Sequence, residues 1–318
     1  CLYRRMIMSS KRKLISTLLC VGALTAGLFV SGCGSDKAAD KVSSAVSSVT
    51  DSKSDEKLNK AFNELIKATN EFNGNNVTWG QQHAENLAKL KAGYDEHAIS
   101  AQPRFESLQK GLLKSKEEGN TYKEVDAERD NVLAILDELV PISKELAAYT
   151  DSKAYLNDGK AKGNELAAKY VAAVEKFKPA YDKLGEVINA ANKEKNKKKM
   201  EQMKKDGYKN YAAVMEATLR LTELVEKVQA TYTNPDKAAI EKEIGEIQGL
   251  LNGIDSKDSH KDSLVRNFND TVGAIRQVLV DPNDKYQDRN LNRMIQQYNS
   301  YIDSYNRIKP DDFDGKKK

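Results

Sequence analysis

The sequence is short of the residues that most often carry chemistry. Three histidines, three cysteines and one tryptophan stand among 318 residues. No nucleophile elbow, phosphate-cradling glycine loop or HExxH pair occurs, which removes the usual signatures of hydrolases, nucleotide enzymes and zinc peptidases. His83 and His97 lie 14 residues apart, about 21 Å on one straight helix, too far to share a metal. An EF-hand loop starting at Asp281 would need oxygen ligands at its third and fifth positions, glycine at the sixth and glutamate at the twelfth. The chain offers Asn283, Lys285, Tyr286 and Asn292, so only the first fits. Strand signals are missing too: there is no sustained alternation and no β-branched run between turn residues. The reading is therefore of a protein that is not an enzyme and has no cofactor and no metal.

What is present begins at the N-terminus. The first residue is Cys1, so the natural start is placed at Met6 or Met8. Arg4, Arg5, Lys11, Arg12 and Lys13 precede an uncharged apolar run, Leu14 to Val30. That order is a secretory signal. The competing reading is an uncleaved membrane span, which wants about 20 apolar residues; Ser16, Gly22, Thr25 and Gly27 dilute this run. Val30-Ser31-Gly32-Cys33 closes it and looks like a bacterial lipobox, in which small residues suit an extended backbone in a peptidase groove. The Cys33 thiol is then the nucleophile that takes a diacylglyceryl group. Residues 1–32 are read as the signal and residue 33 as the mature N-terminus.

Removing the signal changes the charge argument. The precursor carries +4, but the 46 Lys and Arg beyond residue 32 face 47 Asp and Glu, a net charge of −1. Basicity is then no argument for a nucleic-acid partner. Cys1 and Cys20 leave with the signal, and Cys33 has no cysteine to pair with. Stability must come from packing, for which about 286 residues are ample. Residues 33–54 read as the lipidated cysteine and a disordered tether rich in Ser, Ala, Lys and Asp. A flexible tether of about 20 residues spans roughly 25 Å. Gly34, rather than Asp, follows the cysteine, which leans the assignment toward the outer face.

From residue 55 to 309 the pattern is helical. Leu58, Phe62, Leu65, Ile66, Thr69 and Phe72 mark one face, and Asn73-Gly74-Asn75-Asn76 ends it. A helical region follows over 81–118 with a break at Pro103, then another over 121–149 in which Pro141 is expected to kink the helix or start a new turn. Two narrow seams come next: Leu166, Tyr170, Val174, Phe177, Tyr181, Leu184, Ile188, and then Tyr211, Val214, Thr218, Leu221, Val225, Val228, Tyr232. Joined through a polar stretch, they predict a long antiparallel helical hairpin. Asn234-Pro235 reads as N-cap and first residue of a helix over 235–252. Helices over 259–280 and 284–308 finish the domain, and residues 310–318 form a frayed tail. The fold class is all-α, an elongated helical bundle, with one lobe or two.

The stretch Tyr155-Leu156-Asn157-Asp158-Gly159-Lys160 through Glu165, then Phe177, Leu184, Gly207, Tyr211, Met215 and Ala217, resembles the YiiG-like bacterial lipoproteins, a family of unknown function. Tyr298-Asn299 and Tyr305-Asn306 resemble its closing helix. The likeness covers most of residues 55–308. It implies a lipid anchor and an all-helical domain, and it supplies no functional residue.

Four features stay open as sites. Tyr298, Tyr301 and Tyr305 form a stripe that is either core or the lining of a ligand groove. His83 is either a metal ligand or a solvated or capping histidine. Lys193 to Lys205 is either a phosphate-touching patch or a solvated stretch beside a hairpin tip. Trp79 is either a core anchor or a surface contact. The expectation is a lipid-anchored, non-catalytic binding or structural module of the cell envelope. It would sit on the cell membrane or outer membrane, facing periplasm or exterior, and contact an envelope protein or polymer. The alternative is an envelope receptor for a small ligand or metal in an inter-helix groove.

Overall fold

The structure is a computed structural model that describes residues 53–76, 80–99, 103–255, 259–280 and 286–315. Residues 1–52, which hold the signal, the lipobox and nearly all of the tether, lie outside the described residues, as do Trp79 and residues 281–285. Among the described residues there are eleven α-helices, one 3-10 helix and no strand. The helices are α1 (Lys53–Asn76), α2 (Gly80–Ala92), α3 (Phe105–Glu118), α4 (Lys123–Asp151), α5 (Tyr155–Asp158), α6 (Ala161–Lys205), α7 (Lys209–Thr231), α8 (Lys237–Asn252), α9 (Ser259–Val280), α10 (Gln287–Asn306) and α11 (Pro310–Asp314). The 3-10 helix is Glu96–Ala98. They form two compact units, with the division between Ala191 and Asn192, inside α6.

In the first unit α1, α3 and α4 run antiparallel in turn. Lys114–Glu64 at 3.0 Å and Lys60–Glu118 at 2.7 Å fix the register of α1 on α3. Gln109–Asp137 at 2.7 Å and Lys116–Asp130 at 3.0 Å do so for α3 on α4. Exposed pairs of this kind contribute little energy but report the alignment. The energy lies beneath them, in Phe62, Leu65, Leu108, Leu112, Leu136 and Leu139, all essentially inaccessible. The α1–α3 crossing is close because the facing residues are small. A Cβ on Gly111 would lie 2.5 Å from the Ala68 Cβ, and Ser115 Oγ donates to the Ala61 carbonyl at 2.8 Å.

Of the two outcomes expected at Pro141, a kink or a new start, the second does not occur: α4 carries the proline inside it and continues as one element. Proline removes one backbone donor, but Leu136, Leu139, Val140 and Leu146 are buried on both sides of it and hold the helix together. The two seams also do not pair along their length as a simple hairpin. Phe177 and Tyr181 of the first seam pack in the first unit, against Phe72 at 5.9 and 5.2 Å. The hairpin is made by the end of α6 instead: Lys193–Glu226 at 2.9 Å and Lys204–Glu216 at 3.3 Å set it antiparallel to α7. Its turn closes at Gly207, φ 85°, where Tyr208 N–H bonds back to the Met203 carbonyl and Gly207 N–H to that of Lys204. This is a glycine-dependent helix stop.

In the second unit α7, α8, α9 and α10 pack around Val214, Leu221, Val228, Ile247, Phe268, Ile275 and Met294. Asp236, rather than Asn234, caps α8, its carboxylate accepting from Ala239 N–H at 3.0 Å. Helix α11 folds back, so that Asp314 accepts from the Asn210 and Tyr211 N–H groups at 2.9 and 2.8 Å. Tyr208, the residue before α7, makes no side-chain cap bond, so a carboxylate about a hundred residues later serves as the cap.

Candidate functional site

The tyrosine stripe is core. Tyr298 and Tyr301 are 1% and 0% exposed. Their hydroxyls meet Thr222 Oγ1 at 2.6 Å and Thr218 Oγ1 at 3.0 Å. Thr218 and Thr222 also donate to carbonyls one turn back on α7, so each hydroxyl pair joins helix to helix. Tyr305 is buried beside Tyr211 and bonded to it. Burial holds all three phenols neutral by raising their pKa values far above the ordinary 10. The stripe is the seam between α7 and α10, with its hydrogen bonds made inside the unit.

His83 sits on the inner face of α2 with Asn86 and Leu90. Its ring is 6.4 Å from the Tyr170 ring of α6 and 6.5 Å from Phe105 of α3, both edge-on. Phe105 and Phe177 continue the cluster at 5.1 Å, and Phe177 stacks on Tyr181 at 5.3 Å. Removal from water lowers the imidazole pKa to about 4, so the ring is neutral at physiological pH. Two polar atoms of this interior, Asn86 Nδ2 and Tyr170 Oη, are buried without a hydrogen-bond partner. His97 is on the exposed 3-10 helix, a different element from His83. Among the described residues no group of three or more His, Cys, Asp or Glu is placed to hold a metal ion.

The most elaborately built surface lies at residues 93–98 and 149–164. Tyr94 packs edge-on to Tyr149 at 5.3 Å and lies 5.8 Å from Tyr155. A side chain at Gly163 would strike both Tyr94 and Tyr149. Asp158 accepts from Tyr149 Oη at 2.7 Å and from the Lys160 and Lys162 N–H groups. Burial and the Asp158 carboxylate push the Tyr149 phenol up to about 12, while the tyrosine bond pulls Asp158 below its ordinary value. Lys153 and Lys160 take positive φ, 55° and 71°, conformations costly for a side-chain-bearing residue. Lys160 also reaches Glu96 at 3.1 Å. Between those lysines Leu156 is 72% exposed.

The basic run is only partly solvated. Lys193, Lys197 and Lys204 form ion pairs with glutamates, and Met203 is buried. Burial lowers the Lys195 and Lys199 pKa values, Lys195 to about 8.

The family model described as Protein of unknown function (DUF3829) matches residues 53–307. The chain belongs to this family. No curated protein and no solved structure matches it. The matched stretch takes in α1 to α10, with the tyrosine seam, the His83 surroundings and the surface at residues 93–98 and 149–164, and stops before α11. The knuckle at residues 153–160 was visible in the sequence only as part of a family resemblance. Its partners Tyr94 and Glu96 are about sixty residues away and carry no local signal. The Asp126–Arg129 pair at 3.0 Å, with Arg129 2% exposed, gave no warning either, because a buried arginine reads in sequence as a surface residue.

Proposed function

We propose that this DUF3829 protein is a lipid-anchored, non-catalytic binding or structural module of the cell envelope. One observation carries the reading: the lipobox Val30-Ser31-Gly32-Cys33 closes an uncharged apolar run behind a basic segment. The resemblance to YiiG-like lipoproteins supports it. Acylation at Cys33 supplies membrane retention, since stable anchoring takes more than one buried acyl chain. Among the described residues no helix is long and apolar enough to cross a membrane. The polar side chains of the built clusters support the non-catalytic part, because they are engaged in structural bonds: Asp158 to Tyr149, Asp126 to Thr121 and Arg129, Asp314 to the start of α7. Contact with an envelope protein or polymer then falls to the helix surfaces.

The test is metabolic labelling with an alkyne fatty acid, followed by detergent phase partition. The wild-type chain takes the label and enters the detergent phase; Cys33→Ala does neither. Labelling of the Cys33→Ala chain, or an unmodified Cys33 thiol in the mature wild-type protein, overturns the anchor.

A second reading, an envelope receptor for a small polar ligand, is favoured by one feature. An open groove of about 520 Å³ runs along α9, lined by Asn252, Lys261, Asp262, Arg266, Asn269 and Asp270. That volume lies within the range of small-molecule sites. A ligand that binds the folded form there raises the melting temperature. A screen of envelope sugars and amino acids that leaves it unmoved removes this reading.

A further inference from the structure

Helix α2 is held differently from its neighbours. Helix α1 buries Ala61, Phe62, Leu65, Ile66, Ala68 and Phe72, and α3 buries Phe105, Leu108 and Leu112. On α2 Leu90 is the one apolar side chain among the described ones that is fully buried. Its inward stripe also carries His83 and Asn86, seven and four residues ahead of Leu90, while Ala84, Leu87 and His83 itself are only half-buried. Apolar burial is what pins a short helix to a core, so α2 docks with a small driving force. It also leaves two buried donors unmatched, Asn86 Nδ2 on α2 and Tyr170 Oη on α6. Each is a penalty while buried and regains water on opening.

Among the described residues no carboxylate faces the imidazole. From α3 it faces the Phe105 ring and from α6 the Tyr170 ring, whose phenol burial keeps neutral. On α2 itself Asn86 and Leu90 share its face, Glu85 and Lys89 are exposed, and the exposed Lys91 pairs with Glu175 of α6 at 2.5 Å, a tie that stays charged across the pH range of interest. No carboxylate contributes to its proton affinity; burial alone acts. A protonated His83 in this place would be a half-buried cation with no carboxylate beside it among the described residues.

We propose that α2 is an acid-released segment: protonation of His83 detaches α2 and uncovers the Phe105–Tyr170 floor, while α1, α3, α4 and α6 stay folded. The direction follows from linkage. The docked imidazole has its pKa lowered to about 4, against 6.5 when exposed, so the detached form binds the extra proton. Docking is at full strength above about pH 6.5 and weakens as pH falls toward 4. Between pH 7 and pH 5 the detached population rises roughly 20-fold.

Hydrogen exchange on the full chain, corrected for the intrinsic pH dependence of exchange, reads this directly. Amides of residues 83–92 lose protection by roughly 20-fold from pH 7 to pH 5, while those of α4 hold theirs. In His83→Gln the loss disappears. Constant protection of α2 in the wild type, an equal loss across α4, or the same loss in His83→Gln each overturns the proposal. If His83→Gln does not fold, the wild-type imidazole is titrated by NMR. A midpoint well below 5 upholds the buried neutral ring, and one near 6.5 overturns it.

Discussion

Replacing Gly111 with alanine puts a methyl group where α1 and α3 already touch. The new Cβ falls 2.5 Å from the Ala68 Cβ and 3.3 Å from its Cα. Carbon atoms in contact prefer about 3.5–4.0 Å, so the two helices must move apart by roughly 1 Å. Ala68 cannot yield by rotating a side chain, and its backbone belongs to the middle of α1. Overpacking of this sort costs about 1–3 kcal/mol. Against it, alanine is better than glycine in a helix by about 1 kcal/mol. The separation also strains the Ser115–Ala61 bond across the same crossing. The expected net is a loss of about 1–2 kcal/mol. Gly249 on α8 supplies the contrast, since nothing lies within 4 Å of the Cβ it would carry. There the same substitution stabilises, by about 0.5–1 kcal/mol. Urea unfolding followed by helical circular dichroism measures both. A double variant, Ala68→Gly with Gly111→Ala, returns the methyl count at the crossing to one and recovers part of the loss. If Gly111→Ala is as stabilising as Gly249→Ala, the close crossing of α1 and α3 is wrong.

Asp314→Ala removes the cap from α7 and costs about 1 kcal/mol, seen as faster hydrogen exchange at residues 210–213 with the middle of α7 unaffected; unchanged exchange there refutes the cap. Tyr298→Phe loses the contact to Thr222 but leaves that threonine its bond to the Thr218 carbonyl, so denaturation shows a loss of about 1 kcal/mol and not more than about 2. Alkaline stability falls early: Tyr149, Tyr170, Tyr181, Tyr298 and Tyr301 all have pKa values raised by burial. The unfolded chain therefore ionises near 10 while the folded one resists, and stability declines as pH rises from 10 through 12. A melting temperature that stays level over that interval contradicts the buried phenols.

Most of the helix inventory was legible in the sequence, because it rests on local rules. A fresh helix, α3, starts just past Pro103, although α2 has already ended at Ala92, and the apolar period over about 259–280 marks α9. Pairing was another matter. The seam of α6 reads as one continuous stripe, yet its earlier part packs with Phe72 and Phe105, while only the stretch from Lys193 on aligns with α7. Spacing reports which face of a helix is buried and says nothing of what covers it. The tyrosine stripe shows the same limit. Tyr298, Tyr301 and Tyr305 were correctly grouped on one side of α10, but groove and core differ only in whether Thr218 and Thr222 stand opposite, and those residues lie more than seventy positions away. His83 was singled out for the chemistry of its nitrogens, whereas what the structure adds is the aromatic company that keeps it uncharged.

The return of α11 to the start of α7 bears on how the chain is made. The first turn of α7 has its donors answered by a residue that is synthesised about a hundred positions later. Residue 314 must have left the ribosome before that turn can be completed, so the later unit cannot reach its finished form any sooner. A stop codon placed just before Asp314 would therefore harm a helix far upstream of the cut.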